Sequence, residues 1–394
     1  MIRKIIHLDL DAFFCSVEEL LDPSLKGKAF AVGGSTSGRG VITSASYAAR
    51  MHGVRSAMPT REALKIFPEL LLVRSGYHHY SQYSDKVMDI LRDTTPIVEQ
   101  VSIDEAFLDV SDMPQPIASI AQDLQKRVMQ ETGLPCSLGC ASSRVVAKMA
   151  NDFGKKQVKT GRSPQKITVV EPGTEEEFMA PLDIQALWGV GPKTAAHLRQ
   201  RGITTIGRLA ALGDADLKNY FGHHGESMRR RAKGIDNTPI YPESGDPKSV
   251  SNEMTFHEDQ DDEVGLLKIL RGLSEKVGSR LRKAGLAGSV VQIKIRYADF
   301  STYTRQTSMK ECTNLDQEIY DEAQRLFLKH WQSGRPVRLL GVGVSSLDKP
   351  HRQLALWDDQ SSKKEELTRA VDDLRERFGK DIIRHADTLK PKKP

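Results

Sequence analysis

The amino-acid sequence predicts an α/β (α+β) protein of several domains, because strands and helices alternate through its first half and the chain is too long for one core. Its 394 residues suggest roughly two to four domains. Hydrophobic residues make up 39% and charged residues 28%, as in globular proteins. No apolar run approaches the ~20 residues that cross a membrane. Polar residues interrupt the N-terminal segment, which favours a core strand over a signal peptide. We therefore expect a cytoplasmic protein without a membrane partner.

The first half opens with a strand. Residues 5–10 alternate, with apolar side chains on one face and His7, Asp9 and, just beyond, Asp11 on the other. Apolar runs and helical spacing then alternate along the chain. In order, the pattern predicts a helix at 13–21, a glycine- and serine-rich turn at 33–40, a short helix from about Ala45, a helix that Pro96 ends, strands at 97–102 and 106–110, a helix at 117–131, a strand at 136–141 and a helix at 144–153.

The second half contains two further regions and a tail. Residues 187–195 (LWGVGPKTA) form a glycine turn that opens a helix, which Gly202 can cap. Residues 239–247 (PIYPESGDP) have the composition of a linker. The tail carries a last helical pattern at 363–378. Between linker and tail, an acidic run at 258–263 precedes the pattern of a small α+β domain: a helix at 266–284, a strand at 290–297, a helix at 316–331 and a strand at 337–344.

The net charge is only +5, but it is unevenly distributed. Between Lys268 and Lys310, ten basic residues stand against two acidic ones. Such a patch attracts a polyanion such as DNA, although a solvated helix face gives the same pattern. The four cysteines lack both a second pair and histidines at ligand spacing. We therefore expect reduced thiols and no zinc site.

Three carboxylates carry the strongest hint of chemistry. Asp9 lies on the polar face of the first strand, and Asp104 and Glu105 lie at the tip between two later strands. Carboxylate oxygens are ligands that Mg²⁺ prefers. Because neighbours on a strand point to opposite faces, both tip residues can reach one site only if the chain turns there. On spacing alone, acidic turn residues without a metal are the more common explanation.

Five ordered motifs favour a metal site over simple turn residues. They are residues 7–19 (HLDLDAFFCSVEE), 43–59 (TSASYAARMHGVRSAMP), 101–108 (VSIDEAFL), 138–149 (LGCASSRVVAKM) and 187–195 (LWGVGPKTA). In this order and spacing, the chain resembles the Y-family DNA polymerases of the DinB type over about residues 1–357. The resemblance implies a right-hand polymerase: a palm at 1–20 and 78–171, small fingers at 21–77, a helical thumb with a helix-hairpin-helix at 172–238, a linker at 239–249, an α+β little finger at 250–349 and a tail at 350–394.

The same resemblance implies roles for single residues. Asp9, Asp104 and Glu105, with the backbone carbonyl of Leu10, are expected to bind two Mg²⁺ ions. The ring of Phe14 is expected to exclude a 2′-hydroxyl as a steric gate; plain core packing is the alternative. The incoming deoxynucleoside triphosphate is expected to bind Ser44, Tyr47, Arg50 and Lys155. Lys156 is an alternative to Lys155, because residues 158–163 are inserted where the family has a Lys-Pro-Asp/Asn-Gly turn.

Two further segments are expected to bind macromolecules. In the 187–195 turn, backbone N–H groups at Gly189 and Gly191, together with Lys193, would face a DNA phosphate, and Arg296 and Arg305 of the basic stretch would add contacts to primer–template DNA. The tail peptide resembles the short motif that docks bacterial polymerases on the sliding clamp, through Gln353, Leu354, Leu356 and Trp357. A buried strand or helix start would give the same pattern.

The resemblance implies attack of a primer 3′-hydroxyl on the α-phosphate of a deoxynucleotide, with catalysis by metals and positioning. The short fingers favour an open, lesion-tolerant site, and no further carboxylate cluster suggests proofreading. We expect a monomer. Three other functions fit parts of the sequence: a helix-hairpin-helix DNA glycosylase using Lys193, a non-catalytic DNA- and clamp-binding adaptor, and a deoxycytidyl transferase of the same family.

Overall fold

The structure, a computed structural model, describes residues 2–158, 160–242, 245–350, 359–379 and 382–383. The chain divides into two compact units, one of residues 1–36 and 40–244 and the other of residues 37–39 and 245–394. The division falls inside the predicted linker. None of the described helices is both long and apolar enough to cross a membrane.

The first unit contains two sheets and a set of helices. Its strands are β1 (Ile5–Leu10), β2 (Phe30–Gly33), β3 (Ile42–Ala45), β4 (Leu71–Val73), β5 (Val98–Gln100), β6 (Glu105–Asp109), β7 (Cys136–Ala141) and β8 (Ile167–Val169). Its α-helices are α1 (Phe13–Leu21), α2 (Tyr47–Met51), α3 (Thr60–Ile66), α4 (Tyr77–Thr94), α5 (Ile117–Thr132), α6 (Arg144–Gln157), α7 (Glu175–Met179), α8 (Pro192–Arg199), α9 (Ile206–Ala210), α10 (Asp214–Phe221) and α11 (Gly225–Ala232). The predicted alternation of strands and helices is confirmed.

The larger sheet has the strand order β5-β6-β1-β7-β8. Strand β1 lies at its centre, antiparallel to β6 and β7, and only β8 runs parallel to its neighbour. The apolar face of β1 packs on α1, α4 and α5, as the alternation predicts. Its polar face is also covered, by α6. Gly139 of β7 permits this close approach, because a Cβ atom there would lie 2.0 Å from the Ala147 carbonyl oxygen.

The smaller sheet has the order β3-β2-β4 and was not predicted, because its strands are only three or four residues long. The helix expected from about Ala45 begins two residues later, at Tyr47. Its cap explains the difference. Ser46 has an extended backbone, and its hydroxyl accepts a hydrogen bond from the Ala49 N–H at 3.2 Å. The cap fixes the direction in which α2 leaves β3.

Helices α7 to α11 form a layer beside α6 and share an apolar core with it. Their core includes Met179, Leu187, Leu198 and Leu209, all buried. The predicted glycine turn lies here and opens α8, with Pro192 at its first position. Cys15, Cys136 and Cys140 are buried thiols, as expected for a reduced chain.

The second unit is an antiparallel sheet with helices on one face, in the strand order β11-β10-β12-β9. Its elements are β9 (Ser249–Gln260), α12 (Glu263–Lys283), β10 (Ala287–Tyr297), β11 (Thr302–Thr313), α13 (Asp316–His330), β12 (Val337–Asp348) and α14 (Asp359–Phe378). The two outer strands, β9 and β11, were not predicted. Most of their residues are exposed, so they lack the apolar alternation that reveals an inner strand.

The predicted tail helix is α14, which contacts α12 through charged groups. Arg282 of α12 donates to Asp372 at 2.6 Å, and Arg375 donates to Glu275 of α12 at 2.9 Å. All four side chains are at least three-quarters buried. These ion pairs fix the helix to the second unit.

Candidate active site

A cavity of about 350 Å³ in the first unit collects most of the residues predicted to bind metal and nucleotide. Its lining residues come from β1 and α1, from β3 and α2, from the turn before β6 and from the end of α6. Among them are Asp9, Leu10, Phe14, Ser44, Tyr47, Arg50, Asp104, Lys155 and Lys156. The structure thus brings together residues that lie up to about 150 positions apart, and Glu105 stands beside this group without lining the cavity.

Asp9 is placed by the central strand of the sheet, where it pairs with Glu105 on β6 and with Ser137 on β7. Its carboxylate accepts a very short hydrogen bond from the Lys155 ammonium. The Lys148 ammonium lies 3.8 Å from its other oxygen. Burial raises the pKa of Asp9 to about 7 although both lysines lower it. A carboxylate in this position needs a nearby cation to stay ionised at neutral pH.

Asp104 and Glu105 sit on the turn that the sequence required. The N–H groups of Val101 and Ser102 both donate to the Glu105 carbonyl, at 3.0 and 3.2 Å. The Ser102 hydroxyl closes the turn by accepting from the N–H groups of both acidic residues and donating to the Asp104 carboxylate at 2.6 Å. Asp104 therefore faces the cavity from the bend, while Glu105 begins strand β6. The predicted turn is confirmed.

Glu105 is held by a lysine that the sequence did not single out. The Lys148 ammonium of α6 donates to Glu105 Oε1 at 2.7 Å and lies 3.5 Å from Asp152. The imidazole of His7, followed by Lys148, holds the pKa of Glu105 far below its usual range. Lys148 and Lys155 are seven positions apart and lie on one face of α6. This spacing is the sequence signal that could have assigned Lys148 to the same site as Lys155.

His7 and Asp11, on the polar face of β1, are the other residues that sequence reasoning left without a role. Asp11 is fully buried and accepts hydrogen bonds from Ser137, Ser163 and the Gln165 N–H, at 2.7–3.0 Å. Its carboxylate also lies 3.1 Å from the Lys155 ammonium. Burial lowers the pKa of His7 to about 4, so its ring is neutral at physiological pH.

Lys155, rather than Lys156, is the lysine built into the site. Burial would lower the pKa of Lys155, but the carboxylates of Asp9 and Asp11 outweigh it and keep the ammonium protonated. Lys156 also lines the cavity but is exposed. The inserted segment does not displace Lys155, since its described part bonds to Asp11 through Ser163. Helix α6 continues to Gln157, four residues beyond its predicted end, and so carries both lysines into the cavity wall.

The opposite wall carries the aromatic and arginine residues. Phe14 is half-buried, and its ring stacks on Tyr80 of α4 at 4.3 Å between centroids. The Arg50 guanidinium lies 4.6 Å above the Tyr47 ring. Burial raises the pKa of the Tyr47 hydroxyl well above its ordinary value, so that hydroxyl remains a hydrogen-bond donor. Ser44 is buried beneath them.

The three predicted metal ligands do not converge as a ready-made centre. Within the described ranges, no three Asp, Glu, His or Cys side chains are grouped closely enough to hold a metal ion. The Lys148 ammonium lies within 4 Å of both Asp9 and Glu105, and the Lys155 ammonium pairs with Asp9 and Asp11, so these lysines take positions that a metal cation could take. Asp104 has no ion pair among the residues described, and its oxygens are hard donors. The donor set therefore suits Mg²⁺ once the two lysine ammonium groups move away from the carboxylates.

The glycine turn before α8 is the segment predicted to bind a DNA phosphate through its backbone. Gly189 has a φ of +96°, in the left-handed region that glycine tolerates best. Gly191 lies at the N-cap of the eight-residue α8, and Lys193 is exposed beside it. Arg231 donates a very short hydrogen bond to the Trp188 carbonyl and braces the turn from α11.

Arg296 and Arg305 of the second unit do not share a surface. Arg296 faces away from the helices, on the same side of β10 as Lys294, and donates to Thr302 at 2.9 Å. Arg305 is paired with Ile293, whose side chain is buried in the core beneath α12 and α13. Cross-strand partners point to one face, so Arg305 lies at the helix-bearing side. One flat contact cannot use both arginines.

The predicted clamp-binding residues Gln353, Leu354, Leu356 and Trp357 lie outside the described residues. The structure describes the chain up to Pro350 and again from the first residue of α14. Pro350 follows the end of β12. The peptide therefore connects two described elements of the second unit.

Comparison with known proteins gives consistent matches along the chain. Residues 8–152 match the model of the impB/mucB/samB family, residues 247–356 match the family's C-terminal domain, and residues 172–203 match the IMS family HHH motif. DNA polymerase IV of Dehalococcoides mccartyi (strain CBDB1) is 39% identical over 395 residues, 99% of each chain. DNA polymerase IV 1 of Bacillus subtilis (strain 168) is 36% identical over 98% of this chain and 94% of its own.

Two solved structures are similar in fold. A Y-family DNA polymerase chimera of Dbh and Dpo4 has a TM-score of 0.77 at 23% identity, covering 88% of this chain and 100% of its own. An insertion ternary complex of Dbh DNA polymerase has a TM-score of 0.62 at 23% identity, covering 87% and 98%. At this identity the likeness establishes the fold alone.

The depressed pKa of His7 predicts a pH dependence of stability. Below pH 6.5 the unfolded chain protonates this histidine, whereas the folded chain resists until about pH 4. Protonation of His7 in the unfolded chain should therefore cost folding roughly 2–3 kcal/mol in the metal-free protein as the pH falls from 7 to 4.5. The raised pKa of Asp9 acts in the opposite direction over this range, so the contribution of His7 is the difference between wild type and His7→Phe in urea unfolding of the first unit in EDTA. As the pH falls, His7→Phe should gain this amount of stability relative to wild type, and replacement of the exposed His79 by Gln should not. Equal slopes in wild type and His7→Phe would contradict the assignment.

Proposed function

The chain belongs to the impB/mucB/samB family, the Y-family DNA polymerases of the DinB type, and from that premise we propose how its residues divide the work of template-directed DNA synthesis. The chain is a DNA-directed DNA polymerase of the translesion kind, with the α+β palm, fingers, thumb and little finger of such enzymes. The observation that carries the assignment of residues is the cavity in which Asp9 and Asp104 face Phe14, Tyr47 and Arg50.

We propose that Asp9, Asp104, Glu105 and the Leu10 carbonyl hold two Mg²⁺ ions. Such ions lower the pKa of an attacking hydroxyl and offset charge on the leaving group. Two observations support the proposal. The buried Asp9 carboxylate has a pKa of about 7 even beside two lysines, so it favours further positive charge. Asp104 is oriented by Ser102 alone among the described residues and presents its second oxygen without an ion pair.

The incoming triphosphate is proposed to lie between α2 and the end of α6. Arg50 stacks on Tyr47, which fixes a planar guanidinium suited to phosphate oxygens. The Tyr47 hydroxyl stays protonated and can donate a hydrogen bond to the same phosphate oxygens. Lys155, whose ammonium is retained by Asp9 and Asp11, supplies a second positive charge from the other wall. Ser44 lies beside them at the base of the cavity.

DNA is proposed to bind through the backbone at Gly189 and Gly191, with Lys193 as an exposed point charge. On the sheet of the second unit we propose Arg296 as a contact on the face opposite the helices, and Arg305 as a contact reached from the other side. We retain the proposed domain bounds: palm 1–20 and 78–171, fingers 21–77, thumb 172–238 and little finger 250–349. We expect the polymerase to act as a cytoplasmic monomer.

Asp104→Asn should abolish synthesis. The amide cannot supply the charge that a metal site requires, and a loss of several kcal/mol in transition-state stabilisation corresponds to roughly 10³-fold or more. Primer extension in Mg²⁺ with each deoxynucleotide given singly measures both activity and template dependence. Asp109→Asn, on the same strand β6 but at its far end, is the matched control and should extend normally.

Three outcomes of that assay bear on the mechanism. Template-matched addition that depends on Asp104 supports the proposed metal site. Addition of deoxycytidine whatever the template indicates the transferase branch. Normal extension by Asp104→Asn would refute the metal assignment.

Phe14→Ala should admit ribonucleotides, because it removes the stacked ring that would meet a 2′-hydroxyl. We expect the preference for deoxynucleotides, measured as a ratio of kcat/KM values, to fall by about tenfold or more, or about 1.4 kcal/mol. Phe14→Tyr keeps the ring and should keep the preference. If sugar selection is unchanged in Phe14→Ala, the ring serves core packing only.

The tail peptide is proposed to dock on a sliding clamp. Replacing Leu354 and Trp357 together by Ala should shorten extension products on clamp-loaded DNA and leave extension on bare primer–template unchanged. The matched control replaces Leu367 and Phe378 of α14, both about two-thirds exposed, by Ala. It removes similar apolar groups and should have no effect in either assay. Equal losses with and without the clamp would indicate a structural role for the peptide.

A further inference from the structure

We infer that His7 is a positioning residue for Glu105: a neutral imidazole, locked by Asn151, whose Nε2–H points at the carboxylate. The inference rests on the proposed function, since it concerns one of the carboxylates assigned to metal binding. It adds two residues, from β1 and α6, to the machinery of that site.

The position of His7 is set by the sheet. It lies fully buried in β1, opposite Phe107 of β6 on one side and Gly139 of β7 on the other. Its ring packs edge-on against Phe107 at 4.7 Å between centroids. Because Gly139 has no side chain, α6 lies directly over this part of the sheet and brings Asn151 to the imidazole. The ring has no room to rotate away.

Asn151 fixes which ring nitrogen carries the hydrogen. Its amide nitrogen lies 3.2 Å from the His7 carbonyl oxygen and 3.0 Å from the Ser137 carbonyl oxygen. Carbonyl oxygens only accept, so the nitrogen of the amide must face them. The same nitrogen lies 2.9 Å from His7 Nδ1. The two amide hydrogens are thus shared among three acceptors. Because an amide nitrogen cannot itself accept a hydrogen bond, Nδ1 at this distance carries no hydrogen, so the ring is neutral and its hydrogen resides on Nε2.

That Nε2–H faces Glu105. Nε2 lies 3.7 Å from Glu105 Oε2, too far for a hydrogen bond, and it has no other partner among the described residues. A buried donor left without a partner destabilises the folded state. An apolar side chain would fill the same space without that cost. A small rotation of the half-exposed Glu105 side chain would bring its oxygen within hydrogen-bond distance of Nε2.

His7 is uncharged, whereas Lys148 carries a positive charge. The Lys148 ammonium is shared among Glu105, Asp9 and Asp152, at 2.7, 3.8 and 3.5 Å. A divalent cation among these carboxylates repels an ammonium, and it leaves a neutral N–H donor undisturbed. His7 can therefore orient Glu105 through a hydrogen bond when a metal takes the place of the ammonium, which is how neighbouring groups raise the metal affinity of a carboxylate.

The test compares His7→Phe with His7→Gln and Phe107→Leu. His7→Phe keeps a ring and removes the N–H, His7→Gln keeps a neutral N–H donor, and Phe107→Leu disturbs the same packing without touching Glu105. Mn²⁺ binding to the protein with primer–template and a non-hydrolysable deoxynucleotide is followed by electron paramagnetic resonance. Single-nucleotide insertion is measured across Mg²⁺ concentrations.

We expect His7→Phe to weaken Mn²⁺ binding and raise the half-saturating Mg²⁺ concentration by about tenfold, with kcat reduced and the nucleotide KM within about twofold of wild type. His7→Gln should recover part of the affinity. Phe107→Leu should lower the melting temperature and leave the metal dependence unchanged. Wild-type metal dependence in His7→Phe, or an equal shift in Phe107→Leu, overturns the inference.

A measurement on the wild-type protein covers the case in which His7→Phe does not fold. Nuclear magnetic resonance of ¹⁵N-histidine-labelled protein, assigned with His7→Gln, should show His7 as the Nε2–H tautomer, with a signal that shifts when Mg²⁺ is added. An Nδ1–H tautomer overturns the inference. The proposed function is tested separately by Asp104→Asn: if that variant loses extension while His7 proves irrelevant to metal binding, only the role of His7 is lost.

Discussion

Charge balance in a buried site is the constraint on which the rest of the first unit depends. Asp9 and Asp11 are turned inward from β1 because α6 covers the polar face of that strand. Two carboxylates in such a place are costly unless cations accompany them. Lys148 and Lys155 supply those cations from one face of α6. The close approach at Gly139 is what allows their ammonium groups to reach the strand.

The same balance would let the cavity hold a metal and a triphosphate in turn, as proposed. The lysines neutralise the carboxylates, yet the pKa of Asp9 remains near 7, so the compensation is incomplete. A divalent cation would improve it, and the ammonium of Lys155 would then be available to phosphate charge beside Tyr47 and Arg50 in the same cavity. The site would thus exchange one set of ion pairs for another without leaving a buried charge alone.

Local periodicity predicted the parts of the fold that consist of regular elements. Strand β1, helices α1 and α5 and the turn at Asp104 follow from alternation, helical spacing and the demand that two neighbouring carboxylates reach one side. Edge strands β9 and β11 were not predicted, because solvent-facing strands carry polar residues on both faces. The contact of His7 with Asn151 spans 144 positions and leaves no local pattern. That Arg296 and Arg305 lie on opposite faces of the sheet could be predicted only if the register of β10 and β11 were known.

The proposed selection against ribonucleotides would depend on how firmly the ring of Phe14 is held. Phe14 follows Ala12, whose φ of +46° is unusual for a residue with a side chain and turns the chain sharply from β1 into α1. The ring then stacks on Tyr80, whose hydroxyl donates to Glu18 one helical turn after Phe14 at 2.5 Å. The ring of Phe14 is therefore fixed by α4 and by its own helix. Strain at Ala12 is offset by these contacts, so a ring in this position would have little freedom to move away from a bound sugar.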